Sequence, residues 1–154
     1  MAETQQPQRQ LAVQKIYLKD ASLEVPKAPG IYQKAWKPTV DVNLSTATTA
    51  LQQAGHYQVA LKVTVTARLE EDTAFIIEIE QAGLFLLSGF PEQELPQVLN
   101  THCPQALFPY AREAVSELAQ RGGFQQVLLQ PVSFDALYRE HLERQRAGAG
   151  DTVQ

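Results

Sequence analysis

The side chains that could perform covalent or acid–base chemistry are few and scattered in this sequence. The adjacent pair His102 and Cys103 combines a base with a nucleophile, but Pro104 follows it and no catalytic motif surrounds it. Ser133 and Asp135 fit the start of a helix better than a catalytic pair, because Ser is a favoured N-cap residue. We therefore expect Cys103 to be a buried structural thiol.

Motifs for metal, nucleotide or hydrolytic chemistry are also missing from the sequence. His56 and His141 have no clustered partners, a single Cys excludes a cysteine-built zinc site, and no phosphate-binding glycine loop or nucleophile elbow is present. The net charge of −4 argues against nucleic acid as the main partner. We predict a protein that is not an enzyme and that uses neither a cofactor nor a metal.

The most distinctive charge pattern is an acidic block. Between Leu69 and Ala111 there are seven acidic residues and no Lys or Arg. One interpretation is a solvated strand face, which is the usual place for such charges. The other is a docking patch for a basic partner, because Ile76 shares a strand face with Glu78 and Glu80.

Alternating apolar and polar residues in the first half of the chain predict an antiparallel β-sheet. The clearest strand, 57–69, is followed by a polar turn and a second strand that places Phe75, Ile77 and Ile79 on one face. The four predicted strands are 11–25, with a bulge near Asp20–Ser22, then 39–44, 57–69 and 73–81.

Helical spacing appears in the second half, and an irregular loop lies near the start. The helical stretches are 91–102, interrupted by Pro96, then 105–121, and 134–146 with Ser133 as N-cap. The Pro-rich loop 26–38 contains Trp36, the only Trp in the chain. Trp36 either pins this loop to the core or forms a mobile wall of an apolar binding surface.

Length and composition favour a single globular domain. The chain has 154 residues, enough for one sizeable core. Residues 1–10 are polar and predict a disordered arm, 11–146 form the domain, and 147–154 predict a flexible tail. The start of the chain lacks the apolar core of a secretory signal, and no apolar run approaches the ~20 residues of a membrane span. We expect a cytoplasmic protein without stable membrane insertion.

Six sequence blocks, in order, resemble the SecB family of bacterial export chaperones, over about residues 11–142. The blocks are IYLKDASLEVPKAP (16–29), QKAWKP (33–38), VTVTA (63–67), TAFIIEIEQAGLF (73–85), CPQALFPYARE (103–113) and RGGFQQVLLQPVSFDALY (121–138). The resemblance implies an α+β fold, with a four-stranded antiparallel sheet, helices on one side, and assembly as a dimer of dimers. It also implies an ATP-independent cytoplasmic chaperone that keeps precursor proteins unfolded and delivers them to the SecA motor for export.

The resemblance also carries family roles onto positions of this chain. It implies a SecA-binding face at Asp20, Glu24, Ile76 and Glu78. It implies a groove for unfolded clients at Ile31, Trp36, Val40, Val42, Phe134, Leu137, Tyr138 and Leu142. Three further positions, Ile77, Ile79 and Gln81, match ones that the family links to assembly.

Other functions remain open at this stage. One is a small enzyme with a pocket between the loop and the last helix, which no motif supports. Another is an oligomeric interaction protein that binds no clients. A third is a SecB-like chaperone dedicated to one toxin–antitoxin pair. The acidic quartet of Asp20, Glu24, Ile76 and Glu78 favours the export role, because a dedicated chaperone has less need of a motor-binding surface.

Overall fold

The computed structural model describes residues 8–151. Residues 1–7 of the predicted arm and 152–154 of the predicted tail lie outside the described residues. The described part of these termini contains more secondary structure than the sequence predicts, because the first strand begins at Gln10 and the last helix continues to Asp151.

Four antiparallel strands form one sheet in the order β1-β4-β3-β2. Their bounds are β1 Gln10–Glu24, β2 Thr39–Ala50, β3 His56–Leu69 and β4 Asp72–Ser88. The central strands β3 and β4 are joined by the predicted tight turn, in which Glu70 has a φ of 56°. β1 and β2 are therefore the two edges of the sheet, as the family resemblance predicts for a four-stranded sheet.

Each strand presents alternate residues to the two faces of the sheet, which we call the inner and outer faces. The inner face is covered by helices and carries fully buried side chains such as Val63, Val65, Ile77 and Ile79. The outer face carries Glu78, which is exposed, and Ile76, which is half-buried. The predicted split of β4 into Phe75, Ile77 and Ile79 against Ile76 and Glu78 is confirmed.

Two bulges interrupt the pairing of β1 with β4. The register shifts between Val13 and Lys15 and again between Leu18 and Asp20, so Gln14 and Lys19 are extra residues in β1. A bulged residue shifts the alternation by one position. The second bulge therefore places Leu18 on the inner face and Asp20 on the outer face. The predicted bulge at Asp20–Ser22 is correct in kind and lies a residue or two earlier.

Three α-helices and two short 3-10 helices complete the described fold. The α-helices are α1 Leu95–Asn100, α2 His102–Arg121 and α3 Phe134–Asp151, and the 3-10 helices are Gly30–Gln33 and Glu92–Glu94. The long α2 packs on β4 and β3, and α3 contacts α1 and α2. Helices on one side of an antiparallel sheet are the predicted α+β architecture.

The ends of these helices follow the sequence signals closely. The backbone N–H of Ala136 donates to Ser133 Oγ at 3.2 Å, so Ser133 is the N-cap of α3 as predicted. Gly122 terminates α2 by donating its N–H to the Leu118 carbonyl at 3.0 Å, and Gly123 has a φ of 84° that favours glycine. Pro109 lies inside α2, which begins at His102 rather than near that proline.

We expect the two faces of β4 to differ sharply in their contribution to stability. Ile77→Ala should lower the free energy of unfolding by about 2–5 kcal/mol, because it opens a cavity under α2. The matched control Ile76→Ala, one residue away on the outer face, should cost about 1 kcal/mol or less. Urea denaturation followed by circular dichroism measures both values, and equal losses would contradict the assignment of faces.

Candidate functional site

An apolar cleft lies beside the edge strand β2. Its volume is about 720 Å³, and β2 supplies Val40, Val42 and Leu44 from its inner face. The opposite wall is residues 125–133, which connect α2 to α3, together with Leu137 of α3. Trp36 and Pro38 of the irregular loop line the same cleft. The predicted groove residues Trp36, Val40, Val42 and Leu137 are thus brought together.

Trp36 is held by a cluster of aromatic rings, as expected if this residue pins the loop to the core. Its ring centroid lies 5.2 Å from that of Phe124 and 6.2 Å from that of Phe75, which is fully buried. Tyr32 stacks on Phe124 at 5.3 Å and donates its hydroxyl to the Gly122 carbonyl at 2.7 Å. These contacts pin the loop to the end of α2 while Trp36 still forms a wall of the cleft.

A surface ion pair fixes the other side of the loop. Lys34 Nζ lies 2.5 Å from Asp72 Oδ2, at the turn between β3 and β4. The hydrogen bond with Lys34 lowers the pKa of the Asp72 carboxyl, and the hydrogen bond with Asp72 raises the pKa of the Lys34 ammonium group. Because both groups are exposed to solvent, this pair orients the loop and adds little to stability.

A second cleft of about 320 Å³ adjoins the first and shares Leu44 and Leu137 with it. It contains the predicted groove residues Phe134 and Tyr138, together with polar and charged side chains. The remaining lining residues are Ser45, Thr46, Asn100, Glu140, His141 and Arg144. Trp36 lines the larger cleft and Tyr138 lines the smaller one, while Leu44 and Leu137 line both.

Two predicted groove positions lie elsewhere. Ile31 is buried in the core with 2% of its surface exposed, and it lines neither cleft. Leu142 is half-buried on α3 and also lines neither cleft. Phe134 is 3% exposed and meets the Phe108 ring edge-on at 5.9 Å, so it mainly anchors α3 on α2. The loop therefore lines the larger cleft with Trp36 and Pro38, and Ile31 belongs to the core.

The acidic quartet lies together on the outer face. Glu24 of β1 is the register partner of Ile76, and Glu78 is the partner of Ser22, which stands between Asp20 and Glu24 on that face. Asp20 is paired with Glu80, the next outward residue of β4. Asp20, Glu24 and Glu78 are exposed and Ile76 is half-buried. The helices and the clefts lie on the opposite side of the sheet.

The connector 125–132 is the part of the site that sequence reasoning missed. It contributes eight lining residues to the larger cleft, and its Leu128 is 59% exposed. The sequence indicated only a partly extended segment between two helices. The signal that could have identified it is the sequence FQQVLLQPV, because its five apolar residues lie in a segment without helical or strand periodicity and need another surface to bury them. These residues are Phe124, Val127, Leu128, Leu129 and Val132.

Metal-binding clusters and the single thiol were the remaining candidates for chemistry among the described residues. Among them no group of three His, Cys, Asp or Glu could hold a metal ion. Cys103 is fully buried, and burial raises the pKa of its thiol to about 12. A thiol with such a pKa stays protonated at neutral pH and is a poor nucleophile. No helix in the described part of the chain is long and apolar enough to cross a membrane.

The fold and the two surfaces define a binding protein of the α+β class, with an open apolar cleft behind the sheet and an acidic patch in front of it. The family model of preprotein translocase subunit SecB matches residues 4–145. This chain belongs to the SecB family.

Individual relatives agree with the family match. The protein-export protein SecB of Methylococcus capsulatus is 51% identical over 92% of this chain and 90% of its own length. That of Psychrobacter arcticus is 51% identical over 91% of this chain and 93% of its own. A solved SecB-like chaperone of Mycobacterium tuberculosis, in complex with an antitoxin peptide, has a TM-score of 0.67 at 24% identity. That structure covers 79% of this chain and 90% of its own, and it supports the fold.

We expect Cys103 to resist alkylation in the folded protein. At about pH 8, iodoacetamide reacts with thiolates, and burial both blocks access and keeps this thiol protonated. Labelling followed by mass spectrometry should be at least about a hundredfold slower in buffer than in denaturing urea. Equal rates in both conditions would contradict the burial of Cys103 in the first turn of α2.

Proposed function

We propose that this chain is an ATP-independent cytoplasmic chaperone that binds unfolded precursor proteins and delivers them to the SecA motor. The observation that carries the proposal is the separation of two surfaces on opposite sides of one sheet. The cleft side offers apolar area to an unfolded chain, and the outer side offers charge to a folded partner. A protein with both surfaces can hold one partner and present it to the other.

The exposed apolar side chains support client binding. Val40, Val42, Leu128 and Leu137 are 38%, 43%, 59% and 41% exposed, and all four line the larger cleft. Exposed apolar groups gathered in one place mark an interaction site. Burial of apolar surface is non-directional, so such a cleft accepts many sequences, as a chaperone of unfolded chains requires.

The outer face supports an electrostatic contact with SecA. Glu24 is the cross-strand partner of Ile76, Glu78 is the next outward residue of β4, and Asp20 lies further along β1, so a partner with an apolar residue beside a row of basic side chains would match this patch. Its position across the sheet from the clefts leaves it accessible while a client is bound. No cofactor or nucleotide is needed for either contact in this proposal.

The edge strand β1 supports assembly into a tetramer built as a dimer of dimers. Its Val13 and Leu18 are 46% and 48% exposed on the inner face, where α2 does not cover them. An exposed strand edge with apolar side chains pairs readily with a second copy. Ile77, Ile79 and Gln81 are buried on the inner face of β4, so we propose that they influence assembly through α2.

The alternative of a chaperone for one toxin–antitoxin pair has less support. The relatives that are 51% identical carry the export name, whereas the antitoxin-bound structure is only 24% identical. An interaction protein without clients would leave the exposed apolar cleft unexplained.

Two single substitutions should separate the proposed surfaces. Leu137→Asp should weaken binding of an unfolded client by about tenfold or more, since burying a Leu contributes ~1.5–3 kcal/mol. Glu78→Lys should weaken SecA binding at low salt and have a smaller effect at high salt, because screening shortens the reach of surface charges. Calorimetry measures the affinity of each variant for the client and for SecA. Leu137→Asp should lose only client affinity, and Glu78→Lys should lose only SecA affinity.

Matched controls distinguish these effects from general ones. Leu51 is 39% exposed and lines neither cleft, so Leu51→Asp should leave client binding unchanged. Glu71 is exposed in the turn after β3, and Glu71→Lys makes the same charge change outside the quartet. If both affinities fall together in either test variant, the two surfaces are not separate.

We expect assembly to be disrupted at β1. Light scattering of the wild type should give about four times 17.1 kDa. Leu18→Glu should shift the mass toward smaller species, because it places a charge at an apolar edge that we assign to the interface. Lys19→Glu, at the neighbouring bulge, is the charge-change control. A stable monomer of the wild type at micromolar concentration would overturn the proposal.

A further inference from the structure

Glu80 is a carboxylate of the outer face that strand alternation alone would add to the acidic quartet. It is the next outward residue of β4 after Glu78, about 7 Å further along the strand. On β1 its register partner is Asp20, and on β3 its register partner is Lys62. The Glu80 side chain is only 33% exposed, and its Oε2 lies 3.9 Å from Lys19 Nζ. Glu80 therefore has a cation on each side of its strand.

The carboxylates of the quartet lack such partners. Within the described part of the chain, Asp20, Glu24 and Glu78 form no ion pair with Lys, Arg or His. The residue opposite Glu78 on β3 is Thr64, which carries no charge. Along β4, the outer face therefore changes from unpaired acidic groups to balanced charges between Glu78 and Glu80.

The bulge in β1 supplies one of the two cations. In a regular strand, Lys19 would point to the face opposite to that of its neighbour Asp20. Because Lys19 is the extra residue of the bulge, its ammonium group reaches Glu80 on the outer face instead. Lys62 reaches the same face by ordinary alternation on β3 and is exposed. Two independent features of the sequence thus place lysines beside one carboxylate.

The local balance of charge decides whether a basic partner can use Glu80. Asp20, Glu80 and the two lysines together carry no net charge at neutral pH. Residues paired across strands have Cβ atoms about 5 Å apart, which is inside the screening length of ~8 Å at physiological salt. A basic group placed at Glu80 would therefore meet the repulsion of Lys19 and Lys62 together with the attraction of the carboxylate.

A partner shifted by one outward position along β4 would meet this unfavourable environment. Its apolar group would lie at Glu78 instead of Ile76, and its basic group would lie at Glu80 instead of Glu78. Contacts between like charges suppress wrong alignments and so fix the register of an interface.

We propose that Lys19 and Lys62 exclude Glu80 from the contact with SecA and thereby fix the register of a basic partner on the acidic quartet. Affinity comes from the unpaired acidic groups and from Ile76, and the two lysines determine where the contact ends. The inference rests on the proposed SecA contact and identifies the residues that make it specific for one alignment.

The first arm of the experiment compares two carboxylates of one strand. Glu78→Gln and Glu80→Gln remove the same charge from the same face, two residues apart. With the full chain and full-length SecA, calorimetry should show a loss of about fivefold for Glu78→Gln, which is the scale of one surface charge pair. Glu80→Gln should lose about twofold or less, because the partner does not reach this carboxylate.

The second arm removes the two lysines. In a Lys19→Gln/Lys62→Gln background the shifted register becomes accessible. Glu78→Gln should then cost about twofold or less, because the partner can move to Glu80, and this change in effect measures the coupling between the sites. Adding Glu80→Gln in the same background should restore the full loss.

Lys15→Gln is the matched control for the loss of positive charge. Lys15 is exposed on the outer face of β1, and its register partner Leu84 lies about 13 Å beyond Glu80 along β4. In the Lys15→Gln background, Glu78→Gln should keep its full effect. Thermal melting and client binding of every variant verify that the fold and the clefts are retained.

The outcomes separate this inference from the proposed function. If Glu78→Gln leaves SecA affinity unchanged in the otherwise wild-type chain, the acidic quartet is not the SecA surface, and the inference fails with it. If Glu80→Gln costs as much as Glu78→Gln, or if Glu78→Gln costs the same with and without the lysines, the SecA contact stands and the inference is overturned. If Lys15→Gln also reduces the effect of Glu78→Gln, net charge alone is responsible and the inference is overturned as well.

Discussion

One constraint organises this molecule: a single long helix covers the middle of a four-stranded sheet and leaves the two flanks of its inner face only partly covered. α2 packs on β4 and β3, where Val63, Val65, Ile77 and Ile79 are fully buried. The same face continues onto β2, where Val40 and Val42 are 38% and 43% exposed to solvent. It also continues onto β1, where Val13 and Leu18 are 46% and 48% exposed. Apolar area without a covering element attracts other apolar groups. The flank on β2 becomes a cleft, and the flank on β1 becomes an edge suited to a second copy.

The elements around the cleft are those least able to close it. The loop before β2 is held by Ile31 in the core, by the aromatic cluster around Trp36 and by the Lys34–Asp72 pair. The connector packs Val127, Leu129 and Val132 against the core, and its main chain makes no hydrogen bond with the described residues. α3 is anchored at its first turn, by the Ser133 cap and the Phe108–Phe134 contact. Local opening has a low free-energy cost where few backbone bonds hold a segment, so under the proposed function the connector would be the wall that adapts to different clients.

The sequence predicts the sheet centre well because its physical signal is local. In 57–69 and 73–81, each apolar residue that alternation assigns to the inner face is largely or fully buried, and the helix cap at Ser133 has the geometry that its residue type favours.

The second half of β2 was not predicted, because the residues of Ser45–Ala50 are small and mostly polar on both faces. This segment is a strand only because it pairs with β3. β4 was predicted to end at Gln81, since AGLFLL has no alternation; it runs to Ser88 because β1 and β3 flank it on both sides. The places of Ile31 and of the connector were beyond the local signal for a similar reason. What lines a cleft depends on tertiary packing, and an irregular segment carries no periodicity to indicate which way its side chains face.

The separation of the two surfaces follows from the pleat of β4. Glu78 and Ile77 are neighbours in sequence, yet one is exposed beside Asp20 and Glu24 and the other lies under α2. The bulge at Lys19 completes the arrangement, because regular pairing of the same sequence, with Lys19 in the ladder, would turn Asp20 and Glu24 toward the helices. Carboxylates on that side would interrupt the apolar flank of β1, where Leu18 and Leu23 lie. The same bulge therefore keeps this flank apolar and assembles the acidic patch, so the charge pattern of the outer face and the apolar character of the inner face are two consequences of one irregularity in the strand.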